Sequence, residues 1–280
     1  MLAELSTDIT EQALQGISIP PCPTSRTSIL RESKHPSTNL TRLSSLISRD
    51  VGITGPLLKL ANSPFVGLRS KVDSVLQAVN VLGMQNTLNL VHNIALRQSI
   101  GGGAQLFEKF WERSSMSASV AERIAAKLPG VHKDTAYIAA LFHDCGIPVL
   151  MMKHPEYQSA LIEQGKQGKS ICEIENEVFS TSHTVVGNML TRSWMLPAHV
   201  SKAILYHHDH TIFSSVKEAI DAEVCNLISI VHMAECVVDE FLEVKSEWPR
   251  FEQAVLKHLD LSAQEFFELK QDNLALLGGE

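Results

Sequence analysis

The sequence predicts an all-α protein of two packed helical lobes, on three observations. Strict apolar/polar alternation is almost absent from its 280 residues, whereas apolar residues recur at spacings of three and four. The segments marked in this way open on residues that cap helices. They close on clusters of Gly, Pro and Asn.

In chain order, Leu40, Leu43, Leu46 and Ile47 share one helical face, and Val75, Ala78, Val79 and Leu82 share another. Asp50 is placed to cap the helix that ends in LLKLANS, Ser74 the next one, and Asp134 the run TAYIAALFHD. In LANS, Leu57, Leu58, Leu60 and Ala61 supply an apolar face, and Asn62 and Ser63 are expected to bond local backbone and end the helix. Phe107, Phe110, Trp111 and Ser114 align at helical spacing, and Ala222 to Phe241 is apolar at helical intervals. The tail from Leu261 to Glu280 reads as an amphipathic helix with Phe266, Leu269 and Leu274 available for packing. Breaks fall at IPPCP (19–23), HPS (35–37), NSP (62–64), GGG (101–103), LPG (128–130) and LP (196–197). The GGG divides an N-terminal lobe of residues 1–100 from a C-terminal lobe of 101–280. With no long linker between them, the lobes are expected to pack together.

Composition limits the function classes. A hydrophobic fraction of 44% is that of an ordinary globular chain with a sizeable core. A net charge of −7 argues against a general grip on nucleic acid, which needs a basic face. No stretch reaches about 18 uninterrupted apolar residues, so no membrane span is expected. The segment MLAELSTDITEQ carries acids where a signal peptide carries positive charge. Five cysteines, odd in number and without CxxC spacing, are those of a reducing cytoplasm. GGGAQ lacks the Lys-Ser/Thr of a phosphate loop, and no GxSxG elbow is present. Cys145 has no cationic neighbour in sequence to activate it and reads as a buried, inert thiol.

The candidate chemistry lies in histidines and one aspartate. LFHDCG sets His143 beside Asp144, FSTSHTVVG supplies His183, and AILYHHDH supplies His207 and His208. Imidazole nitrogens and carboxylate oxygens suit a divalent transition ion that polarises a phosphate or activates water. Adjacent helical residues point about 100° apart, so such an ion must sit between several helices. Each feature alone has a plainer reading: a chance HD pair, a hydrogen-bonded core histidine, a solvated HH terminus. The ordered series is what carries the metal reading. His35, His92, His132, His154, His199 and His258 show no such pattern.

That series resembles the HD phosphohydrolase superfamily, most closely its HDOD branch, with HD-GYP phosphodiesterases as relatives. RDVGITGPLLKLANSPFVGLRSKVDSVLQAVNVLGMQNTLNLV is similar to the HDOD signature, and FWERSS, AALFHDCGIPVL, HPEY, the HTVVGNMLTRSWMLP run and the AILYHH run follow in order. The match extends over about residues 19 to 240. It implies an HD-like fold for the second lobe and a regulatory output module of bacterial signalling. A chain of this length leaves no room for a fused sensor domain, so the expected input is a protein partner or a small ligand. The alternative is a metal-dependent phosphohydrolase acting on a nucleotide or cyclic dinucleotide; a third class is a scaffold that binds nothing.

The resemblance also exposes departures. The ligand order that resemblance to the catalytic HD-GYP relatives implies is His, His-Asp, His, His-His, Asp; His143, Asp144, His183, His207 and His208 match it. Arg113 stands where the first histidine belongs, and Glu235 where the last aspartate belongs. A guanidinium has no lone pair to offer a cation. Arg113 is therefore expected to pair with Asp144 and take over the ion's electrostatic role; the alternative is that it points to solvent. Relatives that hydrolyse phosphodiesters carry Lys after HD-x-G, where this chain has Ile147, and the GYP segment is missing from HHDHTIFSSVKEAI. Hydrolysis is therefore not expected, while one divalent ion (Fe, Mn, Zn or Mg) held by His143, Asp144, His183, His207, His208 and Glu235 stays open.

Overall fold

The structure is a computed structural model that describes residues 17–68, 71–101, 107–166, 168–213 and 220–278. Gly102 and Gly103 of the expected seam, and the acidic start MLAELSTDITEQ, lie outside the described residues. Among the described residues there is no strand. Contacts divide the chain into two units, one built on Pro21–Trp111 and one on Glu112–Ala275, each with a short piece of a chain terminus.

The first unit is made by α1 (Thr24–Ser33), α2 (Leu40–Ile47), α3 (Val51–Ala61) and α4 (Val75–Ser99). Its core holds Leu43, Ile47, Leu57, Ala78 and Val79, on the stripes that the three-four spacing marks, together with Ile29 of α1. Asn39 caps α2 and Ser74 caps α4, each accepting a backbone N–H from the first turn. Asp50 precedes α3 as expected but makes no capping bond. Gly83, at φ 80°, interrupts the helical backbone of α4; the left-handed region is where glycine has no penalty.

Asn62 reaches farther than a helix cap. Its Oδ1 accepts the Val72 N–H at 2.8 Å, and its Nδ2 donates to Leu58 O at 2.8 Å and Val72 O at 2.7 Å. One amide thus clasps the loop ten residues on, a long-range bond that no local turn rule foresees. The hydroxyl of Ser63 is buried and makes no hydrogen bond.

His92 on α4 is buried with no partner for its Nδ1. Burial, assisted by the charges of Arg26 and Lys34, pushes its pKa down to about 3. Below its ordinary value near 6.5 the unfolded chain takes up a proton that the folded chain refuses, so stability declines as pH falls through that window. His92→Leu is expected to flatten the slope, by about 2 kcal/mol between pH 6.5 and 5 relative to the unmodified chain. Urea melts at the two pH values check this; parallel slopes for the two proteins refute it.

The second unit positions the site. Its elements are α5 (Glu108–Lys127, from Glu112 on), α6 (Lys133–Phe142), α7 (Gly146–Lys153), α8 (Tyr157–Gly165), α9 (Ile171–Phe179), α10 (His183–Ser193), α11 (Ala198–Tyr206), α12 (Ala222–Phe241), α13 (Trp248–His258) and α14 (Ala263–Gly278). Helix α12 is buried on nearly all sides and packs against α6, α11 and α13; α10 packs on α7 and α11. A helix that is apolar all round belongs in the centre of a bundle. Asp134 does not cap α6: the helix starts two residues earlier than expected, at Lys133, with His132 in the cap position and Asp134 in the first turn, where its charge suits the helix dipole. The stretch Lys133–Lys153 is long and apolar enough to cross a membrane, yet 72% of its apolar 18-residue window is buried inside the fold, as a core segment is. On α14, Phe266 is buried against Trp248, while Leu269 and Leu274 are only half-buried. The five cysteines are free thiols. Burial and the Asp144 charge push the Cys145 thiol far above its ordinary range, which keeps it protonated.

Candidate metal centre

Three helix ends and two helix interiors bring the marked residues together. His143 and Asp144 follow the C-terminus of α6, His183 opens α10, and His207 and His208 follow α11. Arg113 comes from α5 and Glu235 from α12. Asp144 is central and its two oxygens face two different half-sites.

On one side, Asp144 Oδ1 lies 3.4 Å from His183 Nε2 and 3.4 Å from His207 Nε2. His208 Nε2 is 3.1 Å from His183 Nε2. One ligand atom from each of these four residues lies within 4.8 Å of all the others. The outer nitrogens are all engaged. His207 Nδ1 donates to Ile204 O at 2.8 Å, His183 Nδ1 to Glu175 at 2.7 Å and His208 Nδ1 to Glu247 at 2.7 Å. These bonds fix the tautomer that leaves Nε2 a lone pair directed inward. His207 Nε2 is buried without a hydrogen bond, and burial with the nearby His208 lowers the ring's pKa to about 3, so it stays neutral. An orphaned buried lone pair among two more imidazoles and a carboxylate fits a divalent transition ion.

On the other side, Asp144 Oδ2 lies 3.1 Å from His143 Nε2 and 3.5 Å from Arg113 Nη1. Arg113 holds two other acids more closely: Glu235 at 2.9 Å and Asp239 at 2.8 Å. Burial opposes its charge, but Glu235, Asp144 and Asp239 outweigh that and hold the guanidinium protonated. His143 Nδ1 bonds Ala140 O at 2.6 Å and its Nε2 is 3.2 Å from Glu235. Burial likewise opposes a charged ring there, yet Asp144 and Glu235 raise His143 to about 10. This half-site has protein cations of its own against its three carboxylates.

A cavity of about 260 Å³ opens onto the site, with Lys245, Ser246 and Trp248 on its wall beside Arg113 and Asp144. Four contributors were invisible in the motif series. Asp239 lies one helical turn beyond Glu235, so the i, i+4 spacing on α12 could have found it. His232 stacks on Phe251, and its Nε2–H donates to His207 O at 2.6 Å. Glu175 and Glu247 bond the outer nitrogens of His183 and His208 from elements that carry no motif of their own.

Similarity to known proteins follows the same lines. The HDOD domain family model matches residues 19–210. An uncharacterized protein of Treponema pallidum (strain Nichols) is 26% identical over 194 residues, 68% of this chain, and the chain spans only 38% of that relative's length. A solved HDOD domain protein of unknown function from Geobacter sulfurreducens superposes with a TM-score of 0.74 at 20% identity, covering 95% of this chain and 92% of its own. A candidate phosphohydrolase from Shewanella amazonensis SB2B gives 0.74 at 18% identity, over 97% and 95%. A candidate signal transduction protein from Marinobacter aquaeolei VT8 gives 0.70 at 20% identity, over 97% and 64%. At these identities the solved structures establish the all-α fold, and the match over residues 19–210 establishes the lineage: the chain belongs to the HDOD domain family.

Proposed function

We propose that this protein is a non-catalytic regulatory output module of bacterial signalling whose site binds one divalent ion. The observation that carries this reading is the guanidinium of Arg113 lodged among Asp144, Glu235 and Asp239. Two-metal phosphoester hydrolysis places cations on both the attacking and the leaving oxygen. Here one of those positions is taken by a group that cannot ligate a substrate oxygen as a metal does, nor lower the pKa of a bound water through coordination.

The ion would be held by Asp144, His183, His207 and His208, the set with inward lone pairs. Three imidazoles and one carboxylate favour iron, manganese or zinc over magnesium, which prefers oxygen ligands. Bound there, the ion would supply Lewis-acid affinity for an anionic group entering the cavity. Arg113 and Lys245 would orient such a group from the cavity wall. Its partner, protein or small ligand, acts from the cytoplasm.

Metal content of the purified chain after incubation with manganese, iron and zinc, read by mass spectrometry, tests this. One ion per chain is expected, retained in His143→Ala, lost in His207→Ala, and accompanied by no turnover of a chromogenic phosphodiester. Two ions per chain with turnover would replace this reading by the phosphohydrolase one. No ion under any condition would leave a metal-free pocket.

A further inference from the structure

Glu175 is fully buried, and its side chain carries no exposure at all. Among the described residues no Lys or Arg pairs with it. Its Oε2 accepts two bonds from one residue, the His183 backbone N–H at 3.0 Å and the His183 Nδ1–H at 2.7 Å. Its Oε1 accepts the hydroxyl of buried Tyr157 in a short contact. Tyr157 is held in turn by stacking on Phe179, with ring centroids 5.5 Å apart and planes at 23°. A buried carboxylate with no cationic side chain of its own is costly to keep ionised. The arrangement therefore favours positive charge at His183, either on the ring itself or on an ion held at its far nitrogen.

The other histidines of the set are served differently. His207 meets a neutral carbonyl, and His208 meets Glu247, whose side chain is 39% exposed and so screened by solvent. Only His183, among these three, has an unscreened charge behind it. A carboxylate on Nδ1–H shifts electron density to Nε2 and fixes the ring's orientation, which raises its basicity as a ligand.

From this geometry we infer that Glu175 is a positioning residue that sets how tightly the site holds its ion, with Tyr157 moderating its charge. The inference rests on the one-ion reading above. Glu175→Gln is isosteric: its amide oxygen can still accept both His183 bonds, and its NH2 can donate to the Tyr157 oxygen. The charge is lost, and the Tyr157 bond reverses direction, its O–H no longer having the carboxylate to donate to. Tyr157→Phe does the opposite, sparing the charge and removing the bond that delocalises it.

The experiment is competition of Zn(II) against a chromophoric chelator, with Co(II) visible spectra and melting of the metal-free proteins. Glu175→Gln is expected to bind Zn(II) about 10–100-fold more weakly, with shifted Co(II) bands and a metal-free melting temperature no lower than that of the unmodified chain. Tyr157→Phe is expected to bind at least as tightly as the unmodified chain. Equal affinity in Glu175→Gln, or a matched loss of affinity in both variants, overturns the positioning role while leaving the one-ion reading intact. No Zn(II) or Co(II) uptake by the unmodified chain overturns both. Should Glu175→Gln fail to fold, weaker binding by Tyr157→Phe suffices to overturn the inference.

Discussion

Arg113→Ala is expected to lower the unfolding free energy by about 3–5 kcal/mol, because it leaves buried carboxylates without their cation. Asp144 and Glu235 are each 13% exposed at the side chain and Asp239 is 5% exposed, so water does little to replace the guanidinium. For a unit of this size the loss corresponds to a fall in melting temperature of roughly 10 °C. His143, already drawn toward its charged form by Asp144 and Glu235, offsets only part of the deficit. The variant should also gain a dependence on divalent ions. Removing the side chain opens a position lined by His143 Nε2, Asp144 and Glu235, atoms that already lie within 4.8 Å of one another. Millimolar Mn(II) should raise the melting temperature of Arg113→Ala more than that of the unmodified chain. Arg113→Lys should fall between the two, since an ammonium keeps the charge but cannot fork across several carboxylates. A melting temperature unchanged in Arg113→Ala would mean that the guanidinium contributes nothing to the cluster and would remove the basis of the non-catalytic reading.

The same cluster shows what a sequence can and cannot carry. The helices and their buried stripes were legible because periodicity is a local signal: Leu43, Ile47, Ala78 and Val79 lie on the core as their spacing requires. The histidine series was legible because each member sits in a short motif, and the structure gathers His143, His183, His207 and His208 around the carboxylate of Asp144. The acids behind the ligands were not. Glu175 precedes His183 by eight residues, across a helix end, and Glu247 is 39 residues from His208. Such pairings are set by how α9 and α13 pack, which no local pattern encodes. Arg113 shows the intermediate case. Its departure from the histidine of the HD-GYP ligand order was visible, but its closest partner, Asp239, lies 126 residues away on the face of a helix chosen by packing. The division of Asp144 into two unlike half-sites is a property of geometry alone, and it is what the proposed one-ion reading rests on.

Gly146→Ala is expected to disable the site through backbone contact alone, without removing any ligand. A Cβ built on Gly146 would lie 2.1 Å from His183 O, 2.8 Å from His183 C and 2.9 Å from His183 Cα. These are backbone atoms, so no side-chain rotation relieves the overlap; the first turns of α7 and α10 must move apart. Gly187, one turn along α10, completes the close approach: a Cβ there would meet Ile204 Cγ2 at 3.0 Å and Cys145 Sγ at 3.3 Å. Overpacking of this kind costs about 1–3 kcal/mol, and more where backbone must shift. The functional cost is larger, because the segment displaced is the one that aims His183 Nε2 at Asp144 and presents its N–H to Glu175. A shift of about 1 Å exceeds the tolerance of a preorganised site. Zn(II) uptake should therefore fall below one ion per chain even where the variant still melts cooperatively. Gly165→Ala supplies the control: at the last residue of α8 a Cβ meets nothing within 4 Å, so ion uptake should be unchanged. A Gly146→Ala protein with unaltered melting and full ion content would show that α7 and α10 tolerate separation, and that His183 is held by its bonds to Glu175 instead of by the contact between the two helices.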